Sequence, residues 1–143
     1  MPDAATMTGA AITGIHHVKF PVTDLARSRA FYEQVLDLQV LTEFPDDDGT
    51  VRGLAGEIPG DPPVRIALRE NASAAKGVRG FDPVSFAIAD EAAAHAWAAH
   101  LDELGVDHTQ VVRGSQGWCL DVIDPDEIVI RLYTVARHDL PPS

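Results

Sequence analysis

The strongest constraint in this 143-residue chain is that it repeats itself. HVKFPVTDLARSRAFYEQVLDLQV, from His17 to Val40, and PVSFAIADEAAAHAWAAHLDELGV, from Pro83 to Val106, align without a gap at an offset of 66 residues. In that frame Phe20 meets Phe86, Val22 meets Ile88, Asp24 meets Asp90, Phe31 meets Trp97, Val35 meets Leu101 and Leu38 meets Leu104. Carried onward, the same frame sets Leu54 on Leu120, Pro59 on Pro125 and Arg65 on Arg131. A repeated unit of this size has one apolar face it cannot bury alone, so the fold must pair two copies.

Each copy has a readable local structure. Val18, Phe20 and Val22 alternate with His17, Lys19 and Pro21, the period of a strand with two different faces. Asp24 and Asp90 sit where a helix N-cap carboxylate takes a free backbone N–H. Leu25, Phe31, Val35 and Leu38 follow at helical spacing, as do Ala94, Trp97, Leu101 and Leu104. Gly105 suits the left-handed position that ends the second helix. The residues predicted to be buried are Phe20, Val22, Phe31, Val35, Leu38, Phe86, Ile88, Trp97, Leu101 and Leu104.

Three strands are predicted after each helix, near 39–45, 49–56 and 63–70 in the first copy and near 107–113, 117–123 and 127–134 in the second. DDDG, IPGDPP and DPDE separate them, and GSQG at 114–117 reads as a turn. Module one then covers about 14–70, an Ala/Ser/Gly-rich linker 71–81, and module two about 82–134. The first dozen residues and the Pro-Pro-Ser end read as loose. The fold class is α+β: two tandem βαβββ modules whose cupped mixed sheets each bury one face on a helix and turn the other toward a cleft.

Charge and composition exclude several roles. The formal net charge of −11 repels nucleic acid and anionic membranes. No apolar run reaches the ~18 residues of a membrane span. The N-terminal MPDAATMTGAA lacks a secretory pattern, and the single Cys119 forms no internal disulfide, so a cytoplasmic location is expected.

The segments GIHHVKFPVTDLARSRAFYEQVLDL and DPDEIVIRLYT resemble the opening strand–helix and the closing strand of the vicinal-oxygen-chelate superfamily, which includes glyoxalase, bleomycin-resistance and extradiol-dioxygenase proteins. The resemblance spans roughly residues 14–134 and implies small-molecule binding and a homodimer. It also implies a metal site built from His and Glu on the first and last strands of each module. Here those positions hold His17, Pro83, Arg65 and Arg131. Proline has no side-chain donor, and guanidinium cannot ligate a cation. No metal and no other cofactor are therefore expected. His16 does not replace the missing ligands, because adjacent strand residues point to opposite faces.

Alternation from these anchors lines the cleft with His17, Lys19, Ser85, Arg65, Ala67, Arg131, Tyr133, Cys119 and Asp121. Lys19, Arg65 and Arg131 against Asp121 make it basic within an acidic protein. In one reading the arginines hold a carboxylate or enolate; in the other they are structural, paired with Asp121 or Glu43. Cys119 reads as a small buried hydrophobe rather than a nucleophile. The leading expectation is a metal-independent isomerase or lyase. In it His17 is the acid–base group with Lys19 and Asp121 beside it, and Arg65, Ser85, Cys119, Arg131 and Tyr133 bind the ligand. The alternatives are a sequestering resistance protein and a metal enzyme with shifted ligands.

Overall fold

The computed structural model describes residues 9–140. Residues 1–8 and the Pro-Pro-Ser end, read above as loose, lie outside the described residues. Module one runs β1 (Val18–Val22), α1 (Leu25–Leu36), β2 (Gln39–Pro45), β3 (Val51–Ile58) and β4 (Val64–Glu70). A short α2 (Ala72–Val78) follows, and then module two: β5 (Val84–Ile88), α3 (Glu91–Leu104), β6 (Val112–Arg113), β7 (Trp118–Ile123) and β8 (Val129–Thr134). The sheet orders are β1-β4-β3-β2 and β5-β8-β7-β6, each with one parallel pair, β1 with β4 and β5 with β8. This is an α+β fold of two βαβββ modules. No helix among the described residues is long and apolar enough to cross a membrane.

The helix boundaries follow from the caps. Asp24 and Asp90 have extended backbones, and their carboxylates accept the N–H of Arg27 and Ala93. Gly105 closes α3 at φ 67°, and Asp37 closes α1 at φ 58°. The segment 71–81 contains α2, which Asn71 caps by accepting the N–H of Ala74. The strand expected over 107–113 shrinks to Val112–Arg113 with an isolated His108–Val122 bridge. There the polar run Asp107–Gln110 keeps two backbone bonds to β7, Thr109 N–H to the Asp121 carbonyl and Ile123 N–H to the Asp107 carbonyl, while the Thr109 hydroxyl accepts the Asp121 N–H and His108 bonds Asp102.

The core joins both modules. Phe20, Val22, Val35, Leu38, Leu54, Ile66 and Leu68 are buried in the first, and Leu101, Leu120, Val122, Ile128, Ile130 and Leu132 in the second. Phe31, Phe86, Ile88, Trp97 and Leu104, expected to be buried, are partly buried and pack against that core. In α1 the buried stripe is Leu25, Ser28, Tyr32, Val35 and Leu36, so Tyr32 takes the central place and Phe31 flanks it edge-on. Tyr32 stacks on Phe20 with ring centroids 5.4 Å apart.

Asp124 explains why the DPDE turn has its sequence. Its carboxylate accepts the Tyr32 hydroxyl at 2.8 Å and the N–H groups of Asp126 and Ile128 at 2.8 and 2.9 Å. Asp126 in turn accepts the Thr23 hydroxyl and backbone N–H and an Arg27 N–H. The β7–β8 turn of module two is thus the dock for α1 of module one.

Candidate functional site on the open sheet faces

Side chains alternate along each strand, so the register assigns two faces to each sheet. In module one Phe20, Val22, Ile66, Leu68 and Leu54 lie toward the helix. The opposite, open face carries one row of Lys19, Ala67, Ala55 and Thr42 and another of Pro21, Arg69, Gly53 and Phe44. In module two the corresponding rows are Ser85, Arg131 and Asp121, then Ala87, Tyr133, Cys119 and Val112.

This register corrects the pairing of the two arginines. Val18 lies opposite Ile66, whereas its counterpart Val84 lies opposite Ile130. The closing strands are therefore offset by two residues less than the opening strands. The difference arises at the turn, since Leu54 pairs with Leu68 while its counterpart Leu120 pairs with Leu132. Ala67, not Arg65, is the counterpart of Arg131. The frame read from the helices does not survive a turn of different length.

The arginines meet different partners. Arg131 donates from Nε and Nη2 to the two oxygens of Asp121 at 2.8 and 3.1 Å. Its Nη1 lies 3.1 Å from Asp82. The Asp121 carboxylate is the chief reason the guanidinium's pKa is raised. Such a bidentate pair is among the stronger charged contacts. Asp82, two residues before β5, was not among the expected residues; the DP pair that starts the strand is the signal that marks it. Arg65 lies on the outer row beside Glu57, with Nε to oxygen at 3.7 Å, and its side chain is 57% exposed. Glu43 pairs instead with Arg29.

His17 and Lys19 stand on the β1 side of module one. The expected opposition of His16 and His17 is not what the structure shows. Both precede β1, the chain there is not pleated, and their Nδ1 atoms lie 3.0 Å apart. Lys19 is exposed, and among the described residues no carboxylate forms an ion pair with it. Beside it on the same face the neighbouring strand positions are Ala67 and Ala55.

Tyr133 lies two residues from Arg131 on the same face of β8. Its phenolic oxygen accepts the N–H groups of Gln116 and Gly117 at 3.1 and 3.4 Å, with the Ser115 hydroxyl at 3.5 Å. GSQG is therefore more than a turn: it wraps a phenol. A Cβ on Gly114 would overlap the Tyr133 hydroxyl, which is why glycine stands there. Cys119, directly across from Tyr133, is buried, and desolvation raises its thiol pKa. Ser85 is exposed beside Arg131.

These residues do not fit the metal that the resemblance implies. The structural counterparts of the four ligand positions are His17, Ala67, Pro83 and Arg131, which offer one imidazole, a methyl, a proline ring and a cation. Among the described residues no three His, Cys, Asp or Glu side chains converge as a metal site. On the open faces Lys19, Ser85 and Ala87 are exposed, while Ala67 and Cys119 are buried. A groove of about 570 Å³ lies elsewhere, between α1 and α3, with Val35, Pro59, Trp97 and His100 in its lining.

Comparison with known proteins agrees with this geometry. The family model of the Glyoxalase/Bleomycin resistance protein/Dioxygenase superfamily matches residues 14–132. Among solved structures, a glyoxylase/bleomycin resistance protein/dioxygenase domain from Frankia sp. EAN1pec is 26% identical, with 91% of this chain and 96% of that one covered and a TM-score of 0.71. The fosfomycin resistance protein FosX from Listeria monocytogenes shares the fold at 20% identity, covering 87% and 94% of the chains, with a TM-score of 0.68. TnmS3, an antibiotic binding protein from Streptomyces sp. CB03234, shares it at 24% identity, covering 87% and 98%, with a TM-score of 0.70. No curated protein sequence matches the chain. The chain belongs to the Glyoxalase/Bleomycin resistance protein/Dioxygenase superfamily.

Proposed function

We propose that this protein binds a small anionic or carbonyl-containing molecule on its open sheet faces, without a divalent metal, and acts on it as an isomerase or lyase. The observation that carries this reading is Lys19. Arg131 is occupied by Asp121 and Asp82, and Arg65 faces Glu57 at the sheet margin. Lys19 has no such partner among the described residues, and its cross-strand neighbours on that face are Ala67 and Ala55. An unpaired ammonium beside small side chains leaves room for a carboxylate or enolate oxygen, and covering the face would strengthen that contact. His17, two residues away on the same strand end, then moves the proton. It takes it from the carbon next to the carbonyl, the negative charge collects on the oxygen at Lys19, and the proton returns to a neighbouring atom.

The site is completed by a second copy in this reading. Phe44 and Val112, 48% and 52% exposed, lie on the same open faces as the polar residues. A homodimer that sets the open face of one copy against that of its partner covers both and closes the site. A cytoplasmic location accords with the lone, buried Cys119. Calorimetry against a panel of small 2-oxo acids and phosphonates tests the reading. Wild type should bind at least one of them, Lys19→Ala should bind it at least about tenfold more weakly, and chelation should change nothing. Lys19→Ala binding every anion like wild type would overturn it.

Sequestration without turnover is the second reading, favoured by the exposed Phe44 and by the methyl groups of Ala55, Ala67 and Ala87 on the open faces. TnmS3 is described as an antibiotic binding protein. Mass spectrometry of the bound compound separates the readings: sequestration returns it unchanged.

A further inference from the structure

We propose that Tyr133 is the proton-transfer residue of the module-two open face, its oxygen held as a base in a cradle of donors formed by the Gly114–Gly117 loop. This rests on the proposed function and extends it, because it supplies a second proton-transfer group besides His17 and defines the substrate class as a carbon acid.

The geometry is that of an oxyanion site filled by the protein's own side chain. Two backbone N–H groups donate to the phenolic oxygen, and the Ser115 hydroxyl lies 3.5 Å away with either oxygen able to be the donor. Donors that converge on an oxygen favour its ionised form. The loop is held in place from behind. The His138 backbone donates to the Gln116 carbonyl at 2.9 Å, and its Nε2 lies 2.7 Å from the Gly114 carbonyl. Arg113 bonds the other nitrogen of that ring, and Trp118 packs edge-on against it. Gly117 admits Thr134 and Ala136 where a Cβ would collide with both. The cradle is therefore a built feature of the 113–138 segment rather than a chance contact.

The groups around the phenol agree with this role. The Ser115 hydroxyl leads, followed by the Gln116 and Gly117 N–H groups, in bringing the Tyr133 pKa below the ordinary phenol value of 10.0. Desolvation and Cys119 across the strand pair oppose this, and desolvation raises the Cys119 thiol in turn. Arg131, on the same face, and Arg113, behind the loop, are cations, and Ala87 on β5 carries no charge. Tyr133 is half-buried on the open face, the side from which a C–H acid would approach.

The protein has only two tyrosines, and they sit in opposite surroundings. Tyr32 is buried against Asp124, and burial pushes its phenol well above 10.0. Titration of tyrosinate absorbance on the full chain should therefore show two separate steps. Tyr133→Phe should remove the earlier one, and Ser115→Ala should move it to higher pH. The base function is read with 5-nitrobenzisoxazole, a probe that needs no native ligand. The phenolate takes its C3 proton, the C–H pair becomes the nitrile bond, and the N–O bond breaks to release the phenoxide. Ring-opening should rise with pH along the earlier tyrosinate step and fall at least about tenfold in Tyr133→Phe. In Ser115→Ala its pH midpoint should shift together with the absorbance.

Both tyrosines titrating together, an early step that persists in Tyr133→Phe, or ring-opening that ignores Tyr133→Phe would each overturn the proposal. So would midpoints that stay in place in Ser115→Ala. None of these readouts depends on Lys19 or on anion binding, so the proposed function and this inference fail separately.

Discussion

The hydroxyl of Tyr32 on α1 donates to the carboxylate of Asp124 on the β7–β8 turn across a buried 2.8 Å contact that pins module one to module two. Burial is the leading cause that raises both pKa values, and for Asp124 the three hydrogen bonds it accepts work against it. Tyr32→Phe should destabilise the chain by about 1–3 kcal/mol, since Asp124 keeps its two backbone donors but loses the phenol. Asp124→Ala should cost more, because it orphans the Asp126 and Ile128 N–H groups as well. Urea denaturation checks both. The raised phenol also fixes a sign: its contribution is complete below pH 10.0 and is lost as pH rises through the folded-state value. Alkaline unfolding of wild type should therefore be steeper than that of Tyr32→Phe.

Arg131 compensates two carboxylates, Asp121 and Asp82. Arg131→Glu gathers three acids where one cation stood. It should lower stability at neutral pH by about 1–3 kcal/mol, and manganese should restore much of the loss. Wild type should melt at one temperature with manganese, with chelator or with neither. Thermal shift in the three buffers measures both outcomes.

His108 has an acceptor at each ring nitrogen, Asp102 at 2.6 Å and the Thr109 carbonyl at 2.7 Å. Both nitrogens must carry hydrogen to satisfy them, so the pair favours imidazolium, and the Asp102 bond leads in raising the pKa above 6.5. The resulting stability is present in full below pH 6.5 and is lost as pH rises through the raised value. Asp102 is exposed, so solvent screening keeps the effect under about 1 kcal/mol. Melting curves across this range should show wild type losing an advantage over His108→Ala as pH rises.

Gly56 touches strand β2 so closely that a Cβ would overlap the Gln39 carbonyl oxygen. The obstacle is backbone, which cannot turn aside. Gly56→Ala should cost about 1–3 kcal/mol, the usual penalty of overpacking. It should also loosen β2 selectively, which hydrogen exchange at Val40 to Phe44 would reveal.

The periodic features of the sequence determined much of this molecule on their own. Alternation at Val18–Val22 and Val84–Ile88, the Asp24 and Asp90 caps and the left-handed Gly105 are local, and local chemistry decides them wherever the chain goes. The repeat determined that there are two modules of one topology. Only the tertiary structure decided what crosses between strands and modules. The Arg65–Arg131 frame failed because strand pairing is set by turn length, and the β7–β8 turn returns its strand two residues sooner. Tyr32 displaced Phe31 from the centre of the core because a carboxylate from the other module waits there for its hydroxyl. The sequence offered Asp121 as a partner for the arginines, but the second contact of Arg131 with Asp82 and the cradle around Tyr133 came only with the packed strands. Periodicity tells which face a side chain takes, but the distance between groups far apart in the chain is fixed only when the strands are registered and the modules packed.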